Sequence, residues 1–159
     1  MKNLMIIMCA ALLSCMLSCE NSNGQNKQAK STLSKPAAEW KKTLTANQYH
    51  IMVEKGTEPP FHNAYYNNHE KGVYVSAATG EVLFTSDDKF ESGTGWPSFT
   101  KPVSNSKVTV IKDADGERME VVEKSTGLHL GHVFDDGPED RGGKRFCMNS
   151  GALKFVKKQ

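Results

Sequence analysis

The chain has 159 residues, 38% hydrophobic and 24% charged, with a formal net charge of +2. That near-neutral balance of mixed signs lacks the basic excess of a nucleic-acid binder, so no nucleic-acid partner is expected. Of its four cysteines, Cys9, Cys15 and Cys19 crowd the N-terminus; Cys147 alone serves the last 140 residues, which therefore cannot form a disulfide among themselves.

The N-terminus reads as an export signal. Lys2 is a short positive region, Leu4 to Leu13 is apolar, and small residues follow. The run is too short for a comfortable membrane span, and residues 1–18 are expected to be a lipoprotein-type signal peptide. Two cysteines stand at plausible processing points. Cys15 follows Leu12-Leu13-Ser14, and Cys19 follows Met16-Leu17-Ser18 and gives the fuller apolar region. Cys19 is preferred as the lipid attachment site, with Cys15 as the alternative. Each methylene of an attached acyl chain adds about 0.8 kcal/mol of membrane affinity. The expectation is an exported protein, lipid-anchored to a bacterial membrane and facing the periplasm or the cell exterior. Loss of residues 1–18 removes one lysine and no acid, lowering the charge from +2 to +1.

Residues 19–36 are rich in Asn, Gln, Ser and Lys and almost devoid of large apolar side chains. Such a segment buries too little surface to fold and reads as a flexible linker. Residues 37–159 are then one domain of ordinary size. Thr45-Ala46-Asn47-Gln48 fits a capping box, Tyr49, Met52 and Val53 give the following helix an apolar face, and Gly56 ends it. Beyond it the period changes to two. Val73–Ala77, Val82–Thr85, Val108–Ile111, Met119–Glu123, His129–Phe134, Arg145–Asn149 and Leu153–Val156 read as strands. Ala78-Thr79-Gly80-Glu81 and Asp113-Ala114-Asp115-Gly116 read as hairpin turns. The fold class is mostly β, with two packed antiparallel sheets or a small barrel and a short N-terminal helical part.

The last strands place the chemistry. Alternation puts Arg145, Cys147 and Asn149 on one face and Phe146 and Met148 on the other, apolar one. A free cysteine is most often a small core hydrophobe. Here it falls on the polar face beside a guanidinium, which favours the reactive thiolate. A merely exposed strand face is the plainer alternative. His129 and His132 lie upstream, three apart, and would face opposite sides of a regular strand; Gly131 between them can mark a bulge that draws them together. A metal site is the rival reading, although no cysteine pair completes it. Gly93-Thr94-Gly95-Trp96-Pro97-Ser98-Phe99 is a turn carrying two aromatics, either a core plug or one wall of an apolar pocket.

Four segments in order, Gly56-Thr57-Glu58-Pro59-Pro60-Phe61, Lys89 to Phe99, His129 to Pro138 and Arg145 to Ser150, closely resemble the methionine sulfoxide reductase B family. The resemblance runs from about Trp40 to Phe155. It implies two antiparallel sheets and a peptide-methionine (R)-S-oxide reductase acting on methionine-R-sulfoxide in proteins and peptides. Carried over, Cys147 attacks the sulfoxide sulfur, and His132, with His129 beside it, supplies the acid or proton network. Asn149 and Arg145 orient groups around the thiolate, and Trp96 and Phe134 contact the substrate. The product is methionine and a sulfenic acid on Cys147.

Two departures from common members matter. Many carry two Cys-x-x-Cys pairs for structural zinc, and those positions here are Ser76, Thr79, Glu123 and Thr126. No zinc and no other cofactor is expected. Many also carry a resolving cysteine where this chain has Thr94. Recycling is then expected from an external thioredoxin-like dithiol. If Cys15 is processed instead, Cys19 stays free on a tether of about twenty residues, spanning roughly 25 Å, and could resolve the sulfenic acid. A cysteine hydrolase uses the same residue types, but the order along the chain differs. A non-catalytic module binding oxidised peptides would bind without turnover.

Overall fold

The computed structural model describes residues 32–114 and 116–159. The expected signal peptide, Cys15, Cys19 and most of the expected linker lie outside them.

Two short helices open the domain, α1 (Ala37–Thr43) and α2 (Ala46–Met52). The capping box before α2 is present in full: Gln48 N–H donates to Thr45 Oγ1 at 3.3 Å, and Thr45 N–H donates to Gln48 Oε1 at 3.0 Å. Ile51 and Met52 are the buried face, Tyr49 packs at its margin, and Gly56 closes the end by donating to the His50 carbonyl. The sequence did not signal α1. It follows Pro36, is seven residues long and buries only Trp40, too little for a periodic pattern to register.

Nine strands follow among the described residues. They are β1 (Gly72–Ser76), β2 (Val82–Thr85), β3 (Lys89–Phe90), β4 (Ser98–Phe99), β5 (Val108–Lys112), β6 (Met119–Glu123), β7 (His129–Phe134), β8 (Arg145–Met148) and β9 (Leu153–Lys157). All seven predicted strands are there, with ends displaced by one residue at most. The additional β3 and β4 are two residues each, too short to show alternation. Every pairing is antiparallel. One sheet has the order β2-β1-β9 and the other β3-β4-β8-β7-β6-β5. Neither sheet closes, so the barrel alternative does not hold. The larger sheet ends in β5 on one side and in the two-residue β3 on the other.

Tyr74, Leu83 and Phe84 of the small sheet meet Phe99, Val121, Leu130 and Met148 of the large one in a single core. The Phe84 and Phe99 rings stack at 4.5 Å, and Tyr74 meets Phe99 edge-on at 5.0 Å. Burial of each such side chain stabilises the fold by roughly 1.5–3 kcal/mol. The consequence for function is that β7 and β8 are central strands, held on both sides.

Candidate active site

β8 lies between β4 and β7, so Cys147 is paired with Ser98 on one neighbour and with His132 on the other. Directly opposed residues hold their Cβ atoms about 4.5–5.5 Å apart, within side-chain reach. The predicted face split is present: Phe146 packs near Phe84 and Met148 is in the core, while Cys147 points away, half-buried. The other face is less open than alternation implied. Arg145 is buried, forks onto the Asp136 carboxylate at 2.8 and 2.9 Å, and lies over the Phe134 ring at 4.4 Å. Asn149 falls just beyond β8 and is also buried. Its amide donates to the Leu130 carbonyl at 3.3 Å, and its oxygen accepts the Glu58 N–H at 3.2 Å.

The bulge in β7 exists. Val121 pairs with Gly131 and Val122 with His129, so β7 carries one extra residue. The two imidazoles come within 5.2 Å, edge to face. A Cβ at 131 would collide with the Cys147 carbonyl oxygen, which is why only glycine lets β7 lie this close to β8. The histidines have different surroundings. His129 is fully buried; Glu120 Oε1 accepts from its Nδ1 at 2.9 Å, and Lys55 donates to the other Glu120 oxygen at 2.7 Å. His132 is half-buried and faces the cavity, with Asp113 Oδ2 accepting from its Nε2 at 3.0 Å and Arg118 bound to the same oxygen at 2.9 Å.

The cavity is about 120 Å³, space for the head of one side chain. Trp96, Phe134 and Met148 make it largely apolar, and Cys147, His132 and Asn149 supply its polar points. Burial pushes the Cys147 thiol up, and Arg145, Thr94 and Ser98 pull against that rise. Burial pushes His132 down, and the Asp113 hydrogen bond only partly offsets it. Burial thus favours the neutral form of both the thiol and the imidazole. Burial alone would raise Asp113, but the hydrogen bonds from His132 and the Ala114 amide outweigh it and hold the carboxyl below its usual range.

One residue fastens the walls together. The Glu58 carboxylate accepts the Ser150 and Gly151 N–H groups just after β8. Its carbonyl accepts the Trp96 indole N–H at 3.0 Å, and its own N–H reaches Asn149. Burial raises the Glu58 pKa, and the two amide hydrogen bonds limit the rise.

Residues 44–157 match the SelR domain model. A peptide methionine sulfoxide reductase MsrB of Methanosarcina barkeri is 52% identical over 129 residues, covering 80% of this chain and 90% of that protein. Proteins of the same name from Methanosarcina mazei (49% over 133 residues, 82% and 94%) and Leptospira interrogans (51% over 127 residues, 79% and 96%) agree. The chain belongs to the methionine sulfoxide reductase B family. Its reaction class is methionine sulfoxide reduction, an oxidoreductase activity.

In this reductase the four positions that resemblance assigns to zinc are bound to one another. The buried Glu123 carboxylate accepts from Thr79 Oγ1 at 2.5 Å and from Thr126 Oγ1 at 2.7 Å, while Ser76 Oγ accepts the Ala78 and Thr79 N–H groups. Three neutral hydroxyls and one carboxylate do not fit a tetrahedral thiolate or imidazole site. Among the described residues no group of three or more His, Cys, Asp or Glu side chains is placed to hold a metal.

Of the site residues read from sequence, Cys147, His132, Asn149, Trp96 and Phe134 line one cavity of this reductase B chain; Arg145 stands behind Phe134, and His129 lies one layer further in. Asp113, Glu120, Lys55 and Thr57 were not singled out by sequence reading, nor was the side chain of Glu58. Asp113 was read only as part of a turn, and the spacing of 65 residues between Lys55 and Glu120 carries no local signal.

Proposed function

We propose that this reductase acts on the R epimer of methionine sulfoxide in proteins and peptides, with Cys147 as the nucleophile. The observation that carries the reading is the pairing of Cys147 and His132 across β7 and β8 at the floor of a cavity walled by Trp96 and Phe134. An apolar aromatic wall suits the methyl group on the sulfoxide sulfur, which has affinity for ring edges and faces. A thiol raised by burial holds its proton until substrate enters. His132, neutral at rest, then receives that proton and passes it to the sulfoxide oxygen as that oxygen leaves its sulfur. Asp113 steadies the transient imidazolium, and Asn149 and Arg145 orient the groups around the sulfur. His129, buried on Glu120, acts as a positioning residue behind His132.

The product on the enzyme is a sulfenic acid at Cys147. Cys147 is the one cysteine among the described residues and Thr94 stands at the resolving position, so an external thioredoxin-like dithiol recycles it. The domain works without zinc, its place taken by the Glu123 hydrogen bonds. The positively charged start and apolar run before Cys15 and Cys19 support export and a lipid anchor at Cys19, or at Cys15 in the alternative. The substrates are then oxidised proteins outside the cytoplasm. No helix among the described residues is long and apolar enough to cross a membrane.

The test is turnover of peptide methionine R-sulfoxide and S-sulfoxide, offered separately with dithiothreitol, by the full chain and by Cys147→Ser. Turnover of the R epimer alone, lost in the variant, is expected. Equal use of both epimers, or activity surviving in Cys147→Ser, overturns the reading.

A further inference from the structure

Ser92 and Thr94 in the segment between β3 and β4, with Ser98 at the start of β4, place three hydroxyl residues at or near Cys147. Ser92 Oγ is 2.8 Å from Thr94 Oγ1 and 2.8 Å from Ser98 Oγ, so the three form one hydrogen-bonded row. Ser98 is fully buried and stands opposite Cys147 in the β4–β8 ladder. Gly93 and Gly95, both with positive φ, flank Thr94. Ser98 faces Cys147 across the ladder, and the Thr94 and Ser98 hydroxyls both favour the ionised form of the Cys147 sulfur. A hydroxyl carries one rotatable donor and two acceptor lone pairs. With a neutral thiol the row is satisfied internally, Ser98 also reaching the Trp96 carbonyl at 3.3 Å. With an anionic sulfur, Thr94 and Ser98 can each turn their proton onto it while Ser92 donates along the row. Linked donors of this kind polarise one another.

We propose that Thr94 and Ser98 are further catalytic residues, donating hydrogen bonds to the ionised Cys147 sulfur and then to the oxygen it acquires, with Ser92 as their positioning residue. The proposal rests on the reading of Cys147 as nucleophile. In the step they serve, the sulfur–oxygen bond of the sulfoxide breaks and a Cys147 sulfur–oxygen bond forms. The substrate sulfur is reduced by two electrons, the Cys147 sulfur is oxidised by two, and the thiol proton ends on the sulfenic oxygen. Thr94 thus has a task of its own at a position where many members carry a resolving cysteine. Other groups face the same sulfur or its surroundings. Arg145 comes from β8, held by Asp136; His132 from β7, with Asp113 behind it; Arg118 lies at the cavity edge; and Glu58 lies beyond Asn149. β4 contributes no charge there, only Ser98, so removing a hydroxyl leaves the charge set intact.

The experiment measures the pH dependence of iodoacetamide alkylation at Cys147 in the full chain, read on the Cys147 peptide by mass spectrometry so that the N-terminal cysteines do not count. The variants are Ser98→Ala, Thr94→Val, Thr94→Ser and Ser92→Ala, with circular dichroism to confirm folding. Loss of one charge-assisted donor should raise the midpoint by about one pH unit, a tenfold loss of thiolate near neutrality. Thr94→Ser should restore it, and Ser92→Ala should give a smaller rise. Midpoints in Thr94→Val and Ser98→Ala that match the parent within about 0.2 unit overturn the proposal. If buried Ser98→Ala fails to fold, the half-buried Thr94→Val against Thr94→Ser decides. Failure of the nucleophile reading would show separately, as turnover surviving in Cys147→Ser.

Discussion

Replacing Glu58 by alanine should damage stability and catalysis together, because one side chain fastens two walls of the cavity. The substitution removes the acceptor for the Ser150 and Gly151 N–H groups and leaves the backbone bonds to Asn149 and Trp96 without a fixed anchor. Hydrogen bonds to a charged group contribute about 1.5–3 kcal/mol each. Glu58 is half-buried, so water replaces part of what is lost, and a net loss of about 2–4 kcal/mol is expected. For a domain of this size that lowers the melting temperature by roughly 10 °C. Loosening Trp96 and Asn149 misplaces the substrate by a fraction of an ångström to an ångström, enough to reduce kcat/KM by about 100-fold. Glutamine should rescue little, since its amide nitrogen faces one of the two N–H donors. Thermal unfolding and steady-state kinetics on a peptide sulfoxide measure both effects. A Glu58→Ala protein with unchanged melting temperature and unchanged kcat/KM would refute the reasoning.

Gly131→Ala forces a Cβ into the Cys147 carbonyl and should destabilise by about 3 kcal/mol, with activity falling faster than unfolding explains; a melting temperature within experimental error of the parent would contradict it. His132 has a folded pKa below its ordinary 6.5, so its contribution to stability is present above that value and is lost as pH falls through it. Between about pH 7.5 and pH 5 the parent should therefore lose more thermal stability than His132→Gln, and equal losses would count against the burial argument. Metal analysis should find well under one zinc per chain, and EDTA should change neither melting temperature nor turnover. Glu123→Ala, which strands the Thr79 and Thr126 hydroxyls, should destabilise by about 2 kcal/mol.

The strands were legible because their signal is local. His129–Phe134 and Met119–Glu123 are short runs rich in β-formers that are each followed by a turn containing glycine, and both appear with the predicted bounds. Gly131 disclosed the bulge for the same reason: a glycine inside a strand pattern asks for an explanation, and here the close passage of Cys147 provides it. β3 and β4 were hidden because two-residue strands have no period. The open edges could not be read either, since closure depends on how far the terminal strands extend, which pattern does not encode. Within the site, residue types with intrinsic reactivity announced themselves. The residues that tune them, Asp113 on His132 and Glu58 behind Asn149 and Trp96, act through contacts 19 to 91 positions apart in the chain. Such partners leave no mark in a local window. Alternation also overstated the exposure of Arg145 and Asn149, because the Asp136 loop and the Glu58 loop fold over that face.

The most direct test of the chemistry is a single turnover without reductant. The reduced full chain is mixed with excess peptide methionine R-sulfoxide, the methionine formed is counted, and the oxidised residue is located by mass spectrometry after dimedone treatment. One methionine per chain, with the adduct on Cys147, is the expected result. Absence of methionine from a folded protein, or methionine formed while Cys147 remains a thiol and another residue is oxidised, would contradict the account.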